Sequence, residues 1–86
     1  NIPVDVLNIY TGFYSSTQVP LKVTVTNNGT ALFMQATGQP IFVINAVGNT
    51  NMFRNNALGV VVEFNAGKNE MTLKQGGKNY LYVKEK

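Results

Sequence analysis

Two glutamates, Glu63 and Glu70, flank one turn, and a facing carboxylate pair is the raw material of glycoside hydrolysis. Lys68 and Lys74 stand beside them, so the pair reads instead as solvent-face residues. Ser15-Ser16-Thr17 offers hydroxyls without a base nearby in sequence. A Ser-x-x-Lys nucleophile needs lysine three residues on, and the residues there are Gln18 and Val19. The cluster reads as a turn before Pro20. Gly67-Lys68 and Gly76-Gly77-Lys78 suggest phosphate cradles, but the P-loop spacing is missing and no helix follows. Hairpin turns account for both. Asn28-Gly29-Thr30 matches a glycosylation acceptor, yet Asn-Gly is also the preferred hairpin turn.

The chain has no histidine and no cysteine. It therefore lacks the usual general base at neutral pH, the usual transition-metal ligands, the thiol nucleophile and any disulfide. No catalytic, cofactor-binding or metal-ligating residue is assigned, and the expectation is a protein that is not an enzyme.

The 86 residues allow one domain. A chain of this size buries only roughly 60–65% of its unfolded surface, so its core is thin. Five Phe and four Tyr are enough for one layer between β surfaces. Tyr10, Tyr14, Phe33, Phe42, Phe53, Phe64, Tyr80 and Tyr82 could instead stack nucleic acid or sugars. Of the basic residues only Arg54 and Lys84 sit close to them in sequence, and filling the core is the better account. The net charge is +3, with Lys74, Lys78, Lys84 and Lys86 gathered after residue 70. They form no cluster and read as a solvated terminal strand, so no nucleic-acid partner is expected. No run approaches the ~20 apolar residues that span a membrane. The segment from Ile2 to Ile9 is too short for a signal peptide and lacks a basic start. The chain begins without methionine, which reads as a piece of something longer.

These residues must be positioned by strands and turns. Residues 1–9 read as a lead-in, with one helical turn near Pro3–Asn8. Strands are expected at 10–14, 21–26, 30–36, 41–47, 52–54, 59–65, 71–75 and 79–85. Leu21, Val23 and Val25 alternate with Lys22, Thr24 and Thr26. Val60, Val62 and Phe64 alternate with Val61 and Glu63. Asn27-Asn28-Gly29, Gly38-Gln39-Pro40, Gly48-Asn49-Thr50-Asn51, Ala66-Gly67-Lys68-Asn69 and Gly76-Gly77-Lys78-Asn79 supply turns. No connection is long enough for a helical crossover. The fold class expected is therefore all-β, a small antiparallel up-and-down meander of about eight short strands. It should form a closed or partly open lipocalin-like barrel, because closure removes exposed edges. A two-sheet sandwich is the alternative. Leu21, Val23, Val25, Leu32, Phe53, Val60, Val62, Phe64, Leu73, Tyr80 and Tyr82 are expected to face inward. Strands this short predict an interior packed solid with side chains rather than a lipocalin-sized cavity.

Leu7 to Tyr14 (Leu-Asn-Ile-Tyr-Thr-Gly-Phe-Tyr) resembles the LxxYxGxY opening of a lipocalin-like domain. That domain is appended to bacterial serine hydrolases of the beta-lactamase and penicillin-binding-protein class. Leu32 to Pro40 is similar to its L-A-Q-x-x-G-Q-P strand and turn. Phe53 and Val60 to Asn65 resemble its F…V-x-F strand, and Met71 to Gly77 its L-x-L-x-Q-x-G ending. The resemblance implies a single accessory domain over 1–86, from an exported protein that is periplasmic or at the cell surface. It implies a serine hydrolase domain as partner, in cis or trans. The family's catalytic serine and lysine belong to that other domain, and nothing here matches them.

The first functional reading is a non-catalytic accessory module that packs on a hydrolase domain or modulates it. The second is a binding module for a small apolar ligand, peptide or glycan. An exposed apolar patch on the outer wall favours docking, and a deep apolar pocket favours a ligand. Gln35, Gly38, Gln39, Pro40, Gln75, Gly76 and Gly77 form the motif to watch. They read as structural, with glutamines bonding loop backbone at one barrel end. Convergence of the glutamines on one concave surface would favour binding.

Overall fold

The computed structural model describes residues 4–48 and 51–85. One short helix, α1 (Val4–Tyr10), leads into eight strands. They are β1 (Gly12–Ser15), β2 (Val23–Asn27), β3 (Leu32–Ala36), β4 (Phe42–Ala46), β5 (Met52–Asn55), β6 (Val60–Asn65), β7 (Glu70–Gln75) and β8 (Lys78–Lys84). Each strand pairs antiparallel with the next, and β8 pairs back onto β1, so the meander closes into a barrel. The sandwich alternative is excluded.

Alternation along each strand decides what the barrel buries. Val23, Val25, Leu32, Met34, Ile44, Phe53, Val60, Val62, Phe64, Met71 and Tyr82 are all buried. The intervening residues of the same strands are half-buried or exposed. Leu73 and Tyr80 also point inward and pack on this core, as their spacing predicts.

The segment around Tyr10 departs from expectation. Tyr10 ends α1 rather than opening a strand, and β1 begins only at Gly12. The cause is the aromatic core. The Tyr10 ring stacks on Phe64 with centroids 4.5 Å apart and meets Phe53 edge-on at 5.7 Å. Phe53 and Phe64 are T-shaped at 5.6 Å, and Tyr14 tilts against Phe64 at 6.2 Å. Leu7, one helical turn before Tyr10, is buried as well. The helix thus plugs one end of the barrel with its Leu7–Tyr10 face. Pro3, expected in its first turn, lies outside the described residues, as do Asn49 and Thr50 of the turn between β4 and β5.

The ends of the helix and hairpins are satisfied locally. The Thr11 amide and hydroxyl both donate to the Asn8 carbonyl, at 3.3 and 2.9 Å. Asn28 Oδ1 accepts from the Thr30 and Ala31 amides at 3.0 Å, shaping the turn between β2 and β3. The turn between β6 and β7 tightens into a short 3₁₀ segment, Ala66–Lys68, closed by Asn69 at φ 55°. Between β7 and β8 the two central residues, Gly76 and Gly77, have φ of 62° and 78°. Both positive values define a type I′ hairpin, which residues other than glycine and asparagine resist.

The barrel wall has two thin seams. β1 and β8 pair only through Tyr14–Lys84 and Ser15–Val83. β4 and β5 pair only through Asn45–Arg54 and Ala46–Phe53. A carboxamide bridges each seam where the ladder gives out. Asn55 Nδ2 donates to the Val43 carbonyl at 2.9 Å, and the Leu81 amide donates to Gln18 Oε1 at 2.7 Å.

Candidate functional site

The barrel's two ends differ. Rings from Tyr10, Tyr14, Phe53 and Phe64 fill the helix end. No described element crosses the other end, and a cavity of about 740 Å³ opens there. The expectation of an interior packed solid throughout is therefore corrected: the barrel is solid below and hollow above. Four aromatic rings gather against α1, while the small Ala36 and Val23 line the open end. A volume of this order lies within the usual range of small-molecule sites, about 300–1,000 Å³.

Strands supply the cavity floor and turns supply its rim. Val23, Met34, Leu73 and Tyr82 line the interior, with Phe42 and Tyr80 nearer the opening. Val19 and Leu21 come from the β1–β2 connection, Pro40 and Ile41 from the β3–β4 turn, and Ala57 and Leu58 from the β5–β6 turn. Leu21 thus faces the cavity as expected, although β2 begins only at Val23. Ile41 and Leu58 are about half exposed, at 55% and 49%. Polar groups are few: Gln39, Asn55, Gln75 and the two tyrosine hydroxyls. Among the described residues, no charged side chain lines the cavity.

The expected structural motif divides in two. Gln35 bonds loop backbone, its Nε2 donating to the Gln39 carbonyl at 3.1 Å. The Gln39 amide donates to Ala36 at 2.9 Å and closes the turn that contains Gly38. Gly76 and Gly77 serve the hairpin. Gln39, Pro40 and Gln75, by contrast, line the cavity. Gln75 Nε2 reaches the Leu58 carbonyl at 3.5 Å, and the Gln39 carboxamide has no hydrogen-bond partner among the described residues. Two exposed glutamines therefore converge on one concave surface.

The tyrosines behave differently from one another. Tyr14 donates its hydroxyl to the Tyr10 carbonyl at 2.7 Å and belongs to the plugged end. Burial, reinforced by Tyr10 nearby, pushes its pKa up to about 12. Tyr82 is raised for the same reasons, burial first and then Tyr80. Its ring is buried, its hydroxyl has no protein partner, and no buried side-chain polar atom lacks a partner among the described residues. The Tyr82 hydroxyl is therefore not fully buried, and the residue lines the cavity.

The other candidate chemistry is dispersed. Glu63 opposes Thr72, and Glu70 opposes Asn65, so the two glutamates do not face each other. Both border a polar depression of about 260 Å³ beside Asn51, and Glu63 pairs with Lys74 at 3.7 Å. Ser15 lies on β1 opposite Val83, and Ser16 Oγ accepts the Gln18 amide at 3.1 Å. Among the described residues no group of three acidic, histidine or cysteine side chains could hold a metal ion. No helix there is long and apolar enough to cross a membrane. On the outer wall, Phe13, Leu81 and Val83 are exposed along β1 and β8.

The cavity was legible in one signal that strand spacing hides. Three of the four connections at the open end carry apolar residues, Val19 and Leu21, Pro40 and Ile41, and Ala57 and Leu58, while the fourth is the Gly76-Gly77 hairpin. The fully described turns at the plugged end are Asn28-Gly29-Thr30 and Ala66-Gly67-Lys68-Asn69. Apolar turns at a single end mark a rim.

Fold and site together define a closed eight-stranded antiparallel barrel with one plugged end and one open apolar mouth. No family model, curated protein or solved structure matches the chain.

Proposed function

We propose that this chain is a binding barrel that takes a small apolar molecule into its open mouth. The observation that carries the reading is the cavity of about 740 Å³, walled by aliphatic and aromatic side chains and edged by a few amides and hydroxyls. Apolar walls supply affinity, and sparse polar groups supply orientation. Titration with the neutral fluorophore N-phenyl-1-naphthylamine tests it. Saturable fluorescence enhancement is expected, and Ala36→Trp, which fills the mouth, should abolish it. No enhancement, or enhancement untouched by Ala36→Trp, would overturn the reading.

A second reading is supported by the outer wall. The exposed strip of Phe13, Leu81 and Val83 suits packing against another domain. With the ordered resemblance from Leu7 to Gly77, it supports a non-catalytic accessory domain of an exported serine hydrolase, in the periplasm or at the cell surface. Phe13→Asp should then weaken association with a penicillin-binding-protein-class hydrolase domain in calorimetry. Unchanged affinity would remove the strip from the interface. The two readings use opposite surfaces of one barrel and are compatible.

A further inference from the structure

The polar groups of the mouth are unequally committed. Asn55 is spent at both ends, Nδ2 on the Val43 carbonyl and Oδ1 on the Leu58 amide at 3.0 Å. The Gln75 amide is directed at the Leu58 carbonyl. The Gln39 carboxamide is free but sits in an exposed rim residue. That leaves, among the described residues, the hydroxyls of Tyr80 and Tyr82 as the uncommitted hydrogen-bonding groups that the strands contribute to the cavity lining. They stand two residues apart on β8 and point the same way.

We infer that the ligand is uncharged and carries a hydrogen-bond acceptor, such as a carbonyl oxygen, that seats on the Tyr80 and Tyr82 hydroxyls while its apolar body fills the mouth. This rests on the binding reading above and names its ligand class.

Three physical points support it. An ionised head group inside the cavity would be desolvated with no opposite charge on the lining to offset the loss. A purely apolar ligand would cut the Tyr82 hydroxyl off from water without replacing its hydrogen bond, and such a site discriminates against ligands lacking that group. The Tyr82 phenol, whose ordinary pKa near 10 is raised further by burial, is protonated at neutral pH and presents a donor.

The test is displacement of N-phenyl-1-naphthylamine by decan-2-one and by decanoate, from the unaltered chain and from Tyr80→Phe and Tyr82→Phe. These variants delete one oxygen each and keep the ring. The ketone should displace the fluorophore at lower concentration than the carboxylate. Tyr82→Phe should weaken the ketone about tenfold more than it weakens the fluorophore, whose own affinity is titrated for each variant. Should Tyr82→Phe not fold, Tyr80→Phe makes the same comparison. Equal displacement by ketone and carboxylate, or a ketone affinity indifferent to the hydroxyls, overturns the inference and leaves the binding reading standing. Failure of the fluorophore to bind the unaltered chain overturns both.

Discussion

Lys84 lies across Gly12. A Cβ added to Gly12 would sit 2.6 Å from Lys84 Cε, and the ammonium beyond donates to the Ile9 carbonyl at 3.0 Å. The last strand thereby caps the C-terminal end of α1 and ties the plug to the barrel wall. A cation at this end of a helix also meets the negative pole of its dipole. Glycine at position 12 has two reasons to be there: the passage of the lysine stem, and a φ of 146° that side chains rarely adopt.

Gly12→Ala should therefore destabilise the barrel by about 1–3 kcal/mol, chiefly through backbone strain, since the lysine tip can move aside. Lys84→Met should cost less, about 0.5–1.5 kcal/mol, the worth of one hydrogen bond. Because both changes act on one contact, their costs should not add. Urea titrations of the two single variants and the double variant measure this. Strict additivity would show that Lys84 and Gly12 are not coupled.

Removing the ring on which the plug stacks should cost more. Phe64 is fully buried and touches Tyr10, Tyr14 and Phe53. Phe64→Ala should lose roughly 3–5 kcal/mol, a large part of the ~5–15 kcal/mol available to a small domain. The Tyr10 ring would lose its stacking partner, so proteolysis should cut first near α1. A loss below ~1 kcal/mol would mean that the helix end collapses to fill the space.

Most strands could be read from sequence because they alternate, whereas in β8 Tyr80 and Tyr82 stand against the equally apolar Leu81 and Val83 and leave the register open. Val60, Val62 and Phe64 against Val61 and Glu63 admit one inward face, and the turn signals lie where the chain reverses. Tyr10 could not be read this way. Its helical conformation is set by Phe53 and Phe64, more than forty residues away, and no local pattern encodes that contact. The same limit applies to the site. Gln39 and Gln75 are far apart in the chain and meet only because β3 and β7 end on one rim. The hollow depends on where the aromatics gather, which closure of the barrel decides. Tyr14 and Tyr82 both alternate inward, yet one completes the plug and the other lines the mouth.

Stability should fall at high pH. In the unfolded chain Tyr14 ionises at the ordinary phenol value near 10, whereas in the barrel it stays protonated to about 12. Between those values the folded state holds a proton that the unfolded state has released, so raising the pH favours unfolding. Tyr82, raised in the same direction, adds to the slope. One such group contributes at most about 1.4 kcal/mol per pH unit, less where solvent reaches the hydroxyl. Tyr14→Phe should flatten the fall between pH 10 and 12 in thermal melts. It should also lower stability at pH 7, because the hydrogen bond to Tyr10 is lost. An equally steep fall in the variant would assign the alkaline transition to other groups.

The isolated chain should hydrolyse nothing. A serine hydrolase needs a hydroxyl beside a base and donors aimed at the developing oxyanion. Ser16 Oγ instead accepts a backbone amide within its own turn. Histidine is absent from the chain, which leaves lysine as the candidate base. Lys22 pairs with Glu85 at 3.2 Å, Lys74 with Glu63, and Lys84 with the Ile9 carbonyl. Lys68 and Lys78 are exposed at turns. Nitrocefin and p-nitrophenyl esters should turn over no faster than in buffer, and fluorophosphonate and penicillin probes should leave the chain unlabelled. Turnover abolished by Ser15→Ala or Ser16→Ala would establish a nucleophile where β1 passes into the β1–β2 connection. The chain would then be an enzyme, and the mouth beside that connection its substrate pocket.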